Sequence, residues 1–257
     1  MEKLNYRKFI EVVLQKLQTK CKIFLKAIGF YPMAFLLSEK GGNNMGLEID
    51  SNIITTKTKK SDIVKIDFAA CAEPTQTLDK YYANLYTKPD ILINGGLFSF
   101  ATGKSVMDFI DEHRIKSQED WVEYGFGIDV NGNLQYGKDS DKVWKDFISA
   151  YPPLVVNGIK QPITFAKEIA GRARRTVLGY DDDYIYTITI DNPGVTLEKA
   201  ATIALETGCK YAINLDGGGS TRLLYQGVAF ATASYNRPVD NVIAIYIKKE
   251  PIILYRV

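Results

Sequence analysis

The sequence predicts a chain of many short strands joined by tight turns, with a few amphipathic helices packed alongside. Three observations predict it. Short apolar runs, Ile91-Leu92-Ile93 and residues 211–213, stop abruptly at Asn, with glycines at 95–96 and 217–219. Val64, Ile66 and Phe68 alternate with Lys65 and Asp67, the period of a half-buried strand. Residues 77–86 and 196–207 instead carry apolar side chains at helical spacing.

Composition bounds the function. A chain of 257 residues, 46% hydrophobic and 24% charged, can build a sizeable core and is not a disordered sequence. Its 32 basic and 30 acidic residues leave a net charge of +2, which gives no reason to expect nucleic acid as a partner. Cys21, Cys71 and Cys209 lie far apart, with neither metal-ligand spacing nor a disulfide framework. The single histidine, His113, sits among Asp111, Glu112 and Arg114 and reads as a solvated surface residue. Zinc catalysis and a Ser-His-Asp triad are both poorly supported. No cofactor is required by the sequence, and a divalent cation held by Asp and carbonyl oxygens stays possible. The 16 Tyr and 12 Phe suit sugar stacking as well as strand packing.

Residues 1–44 differ from the rest and predict a helical N-terminal extension. Phe9, Val12, Val13 and Leu17 suggest an amphipathic helix with a basic face. The apolar run 27–37 has 11 residues, too short to span a bilayer, which takes roughly 20. It lacks the pattern of a signal peptide. A surface-binding helix and a helix docked on the core are the two readings. Lys40-Gly41-Gly42-Asn43-Asn44 is either a flexible linker or a translated ribosome-binding site, with Met45 then the true start and 45–257 the domain. The expected location is soluble, either cytoplasmic or at a cell or virion surface.

Along the domain, residues 77–86 form a helix with Leu78, Tyr81, Tyr82 and Leu85 on one face, stopped by Pro89. Residues 105–119 are expected to be helical in part and to lie outside. Residues 126–130 with Asn131-Gly132-Asn133 announce a hairpin. Residues 142–148 predict a short helix with Val143, Trp144, Phe147 and Ile148 inward. Residues 154–156 with Asn157-Gly158 form another strand and tight turn. Arg172, Arg174 and Arg175 precede a strand and either grip an anion or form a solvated basic edge. Residues 184–190 are a strong strand that ends at Asp191-Asn192-Pro193-Gly194. Thr196 caps a helix bearing Leu197, Ala200, Ala201, Ala204 and Leu205, which Gly208 terminates. The tail adds strands at 221–225, 242–247 and 252–255.

The stretch with the strongest chemistry is Asn214-Leu215-Asp216-Gly217-Gly218-Gly219-Ser220-Thr221. A carboxylate ends a buried strand, and three glycines follow it. Successive free amides in such a turn form an anion-binding concavity. A carboxylate beside an anion pocket suits acid–base work on a phosphorylated or glycosidic substrate. An ordinary hairpin loop is the plainer reading of a glycine triplet. Asn94-Gly95-Gly96-Leu97-Phe98 repeats the same order of strand, Asn and glycine, which suggests that both strand ends reach one site.

Those two stretches, with Pro153-Leu154-Val155, Asn157-Gly158, Arg175-Thr176, Gly179, Asp191, Arg237-Pro238 and Asn241, resemble the phosphodiester glycosidase family over about residues 91–247. Leu97, where the family usually has an aromatic residue, and the Asp191-Asn192-Pro193 turn depart from its pattern. The resemblance implies an α+β fold, a mixed β-sheet core with packed helices. It implies hydrolysis of the bond between a sugar anomeric carbon and a phosphodiester oxygen, in a glycan, exopolysaccharide or wall polymer. Asp216 and Asp191 would be the catalytic pair. Gly217, Gly218, Gly219, Ser220, Arg175 and Thr176 would hold the phosphodiester, with Asn94, Gly95, Gly96, Asn214 and Asn241 completing the substrate site. A non-catalytic module that binds a sugar-phosphate polymer, for instance in a phage, is the alternative.

Overall fold

The computed structural model describes residues 34–38, 45–71, 75–118, 124–164, 166–232 and 237–249. The expected helix at 4–17 and strand at 252–255 lie outside them. In chain order the elements begin with β1 (Ala34–Ser38), β2 (Met45–Asp50), β3 (Ile53–Lys59), β4 (Ile63–Ala70), α1 (Leu78–Asn84) and β5 (Ile91–Asn94). They continue with β6 (Phe109–Asp111), β7 (Arg114–Ser117), β8 (Tyr124–Ile128), β9 (Leu134–Lys138), β10 (Asp146–Ser149), β11 (Pro153–Val156) and β12 (Ile159–Lys160). Last come β13 (Ala173–Tyr180), β14 (Tyr184–Val195), α2 (Leu197–Thr207), β15 (Tyr211–Asn214), β16 (Arg222–Tyr225), β17 (Val228–Thr232) and β18 (Asn241–Ile247).

These strands form three sheets, ordered β1-β2-β3-β14-β13-β15-β11-β12, β7-β6-β10-β8-β9 and β17-β16-β5-β18-β4. Alternation along the strands sets the layers. Ile91 and Ile93 of β5 enter the central core with Leu178 and Ile213 of the large sheet. The residues between them point the other way. Leu92 meets Leu78 of α1, and Val177 and Ala212 meet Ala200, Ala201 and Ala204 of α2. Each helix therefore covers the outer face of one sheet, and the two sheets close on each other between them. The third sheet adds Phe109, Phe126 and Ile148 to the same central core.

Among the described residues every strand pair is antiparallel, so the fold is mostly β with few helices, and the expected mixed sheet is corrected. The strand-helix-strand unit β14-α2-β15 does return its strands in one direction. However, β13 inserts between them and runs against both. Short connections favour this outcome. Asn157 and Gly158, at φ 52° and 74°, make the β11–β12 turn, of the kind that matches strand twist.

Three expected helices are replaced over their described residues. Residues 34–38, which overlap the end of the run 27–37, pair as β1 with β2. Residues 109–117 are the β6–β7 hairpin, turned at Glu112 and His113 with φ 48° and 63°. Its outer strand is exposed and carries Arg114 and Lys116, charges that blunt a sheet edge and that read in sequence as a polar helix. Residues 146–149 are β10, the middle strand of its sheet and buried on both faces. Trp144, Phe147 and Ile148 are inward as expected, but Val143 is exposed. Where both faces are buried, helical and extended apolar patterns look alike.

The helices at 78–84 and 197–207 form as read. The Thr77 hydroxyl accepts the Lys80 amide, and the Thr196 hydroxyl accepts the Lys199 amide at 3.2 Å. Gly208, at φ 105°, ends α2 in the left-handed conformation. No helix among the described residues is long and apolar enough to cross a membrane.

Candidate functional site

The two strand ends that share one sequence pattern meet in space. β5 belongs to one sheet and β15 to the other, and the chains leaving them bond directly. The Asp216 amide donates to Gly95 O at 3.0 Å, and Asn94 Nδ2 donates to Asp216 O at 2.7 Å. Asn94 is fully buried, and its Oδ1 accepts from the Thr176 hydroxyl at 2.8 Å and the Arg222 amide at 3.2 Å. Both sides of this amide are therefore engaged by the protein. Asn94 and Thr176 are rivets between sheets rather than substrate ligands, a correction to their expected role.

Asn241 is a second rivet. It is buried, accepts the Gly96 amide at 2.7 Å and donates to Asp240 at 3.0 Å. A Cβ on Gly95 would collide with the Asn241 side chain, so that glycine serves close packing. Gly96 likewise packs on Ile148. These three positions support the site without facing a ligand.

Asp216 is 9% exposed, and burial pushes its carboxyl up to about 6 from 3.8. The Ser220 hydroxyl, the Gly217 amide and the Arg237 charge oppose that rise only in part. The Gly217 amide donates to Asp216 Oδ1 at 2.8 Å. The Ser220 hydroxyl favours the carboxylate but completes no hydrogen bond. The Ser220 amide closes on Gly217 O at 3.0 Å, whereas the Gly218 and Gly219 amides find no acceptor among the described residues. Asn214 Nδ2 donates to Tyr151 O at 2.8 Å, which leaves Asn214 Oδ1 buried and unpartnered, as are the hydroxyls of Ser220 and Thr221. Buried polar atoms without partners are rare, and these three belong to residues close to Asp216 in the chain.

Asp191 stands in β14, which runs on to Val195 rather than stopping at 190. Asn214 pairs with Val177 and Ile190 with Arg175, so both aspartates reach the Arg174–Arg175 level of β13 from opposite sides. Two strand spacings separate their backbones, roughly 10 Å. The Asp191 carboxylate holds Arg174 Nε at 2.7 Å.

Arg175 is 3% exposed and points toward α2, where its guanidinium donates to the carbonyls of Ile169, Gly171 and Val195. Desolvation lowers its pKa. The expected phosphodiester grip is therefore corrected, because Arg175 fastens a loop. Arg175→Lys is expected to lower stability by about 1–3 kcal/mol in urea unfolding, since an ammonium cannot span these carbonyls. KM should change little.

Arg237 and Phe100 are the residues that sequence reasoning left out of the site. A Cβ on Gly219 would overlap the Arg237 guanidinium. That guanidinium also lies over the Phe100 ring, 4.8 Å from the centroid. The motif Arg237-Pro238 was the available signal. Among the described residues no group of three or more His, Cys, Asp or Glu is placed to hold a metal ion. A groove lined by Ile63, Val64, Lys65, Ile128 and Leu134 shares no residue with this cluster.

A family model described as phosphodiester glycosidase matches residues 87–246. The fold is similar to the zebrafish N-acetylglucosamine-1-phosphodiester alpha-N-acetylglucosaminidase catalytic domain auto-inhibited by its pro-peptide. That match has 16% identity, 91% coverage of each chain and a TM-score of 0.66. It is also similar to a hypothetical protein from Synechocystis, at 12% identity and a TM-score of 0.70, covering 85% of this chain and 64% of that one. No curated protein sequence matches the chain.

Proposed function

We propose, because the chain belongs to the phosphodiester glycosidase family, that it hydrolyses the bond between a sugar anomeric carbon and a phosphodiester oxygen. The substrate is a sugar-1-phosphodiester of a glycan, exopolysaccharide or wall polymer. The observation that carries this reading is a buried carboxyl pushed to about 6 beside glycine amides without acceptors. A phosphate monoester leaving from the anomeric carbon has a second pKa of about 6. Asp216 is thus matched to the group it must protonate, and a matched acid shares its proton efficiently.

In this mechanism the Gly218 and Gly219 amides hold the phosphoryl oxygens. Asp216 gives its proton to the bridging oxygen as the bond to the anomeric carbon breaks. Asp191, paired with Arg174, takes a proton from the water whose oxygen joins that carbon. Both aspartates then return to their starting states by exchange with solvent. Carboxylates on either side of an intervening strand leave room for that water, the inverting arrangement.

The test is hydrolysis of a sugar-1-phosphodiester of known anomeric form. Phosphorus NMR should show a phosphate monoester, and proton NMR of the first product should show the opposite anomer. Turnover should survive chelation and dialysis. Tight binding without any monoester release would replace hydrolysis with a sugar-phosphate binding role, and first-formed product of retained configuration would remove Asp191 as the base.

A further inference from the structure

Asp191 is fixed through its backbone by a side chain from a hairpin far away in the chain. The β3–β14 ladder has its last pair at Ile53 and Ile190. One residue further, the Asp191 amide donates to Asn52 O at 2.8 Å, and Asn52 Nδ2 donates back to Asp191 O at 2.8 Å. A side-chain amide thus takes the place of the backbone donor that a continuing antiparallel ladder would supply. The position of Asn52 allows this. It sits in the two-residue turn between β2 and β3, with Asp50 paired to Ile53 and Ser51 at φ 56°. Asn in a turn commonly bonds its own neighbouring backbone, whereas here it reaches across 139 residues.

The carboxylate above that clamp is held by one oxygen. Asp191 Oδ1 accepts the Asn192 amide at 2.8 Å and lies 2.7 Å from Arg174 Nε. Oδ2 has no partner among the described residues, and the side chain is 29% exposed. A Cβ on Gly217 would stand 2.6 Å from Arg174 O, so the chain leaving Asp216 runs against the residue that pairs with Asp191. A carboxylate fixed through its backbone and one oxygen, with the other oxygen open, is a preoriented proton acceptor.

We infer that Asn52 is a positioning residue for Asp191, and that the β2–β3 hairpin is therefore part of the site. Asn52 acts through Asp191 and meets no substrate. The hairpin precedes residues 87–246, over which the family model matches, so the resemblance assigns it no role. The inference rests on the proposed reaction for its effect on turnover, and on the clamp alone for its effect on the backbone.

The test uses the full chain as wild type, Asn52→Ala, Asp191→Ala and the double variant. Each is assayed on a sugar-1-phosphodiester and followed by amide hydrogen exchange in NMR. Asn52→Ala is expected to lower kcat about tenfold with KM within about twofold, the result of a small displacement of a reacting group. In the Asp191→Ala background the same change should cost nothing further, because residues that act as a unit are not additive. Exchange at the Asp191 amide should quicken about tenfold in Asn52→Ala, while the amides of α2 keep their protection. Asn52→Asp, which keeps the shape but lacks the donor, should behave like Asn52→Ala. Wild-type kcat in both Asn52 variants overturns the inference, as does an equal loss of kcat in the two backgrounds, the mark of a general support for the sheet. A chain that hydrolyses nothing, yet shows the quickened Asp191 exchange, would overturn the reaction and leave the clamp standing. No turnover with unchanged exchange would overturn both.

Discussion

Asp216→Asn is expected to leave a folded protein whose turnover falls by roughly a hundredfold or more, the scale of a lost general acid. Asn is nearly isosteric and can still accept the Gly217 amide, so the loop should keep its shape. The pH dependence makes the role specific. With its carboxyl near 6, Asp216 loses its proton as pH rises through that value. The wild-type kcat/KM should therefore fall about tenfold per pH unit above 6. Asp216→Asn should lose that limb. A rising limb at the same pH would make Asp216 a base, and wild-type turnover in the folded variant would remove it from the mechanism.

The same shift has a stability consequence of opposite sense. The folded state raises the Asp216 pKa from 3.8 to about 6, so it binds this proton more tightly than the unfolded chain. That contribution is fully present below the unfolded value and is lost as pH rises through the folded one. The difference amounts to about 3 kcal/mol at neutral pH. Asp216→Asn should hence melt higher than the wild type at pH 8, with the gap closing as pH drops below 6. Gained stability with lost turnover is the signature of a carboxyl buried for chemistry rather than for folding.

The second large effect is expected at Asn94. Asn94→Ala removes bonds to Asp216 O, Thr176 Oγ1 and the Arg222 amide together, and leaves the last two groups buried without acceptors. Each orphaned buried group costs about 1–3 kcal/mol, so a total loss of about 3–5 kcal/mol is expected. In a domain of this size that lowers Tm by roughly 10 °C. Turnover should fall too, because the Asp216 backbone loses the bond that ties it to the opposite sheet. The check is urea unfolding alongside kcat and KM. Reduced KM affinity with full stability would return Asn94 to the substrate.

Much of the architecture can be read from the chain alone, because local rules decide it. Thr196, the spacing from Leu197 to Leu205 and Gly208 determine α2 almost residue by residue. Asn157-Gly158 and Asn131-Gly132 determine their turns, and β5 and β15, each ending at Asn with glycines close behind, foretell a common meeting point. Other features are decided only once the sheets pack. Arg174 and Arg175 are neighbours of one type, yet one pairs with Asp191 and the other binds carbonyls beneath α2. Which face α2 covers, and the bulge between Ala173 and Arg175, settle that choice. Asn94 and Asn214 also share one pattern. Thr176 and Asp216 of the opposite sheet, with Arg222 of its own, saturate Asn94, whereas Asn214 Oδ1 is left unpartnered. Strand endings follow from nearest neighbours along the chain. The free or occupied state of a polar atom follows from groups distant along the chain, such as Asn94 and Asp216, 122 residues apart, and only the closed sandwich brings those groups into reach.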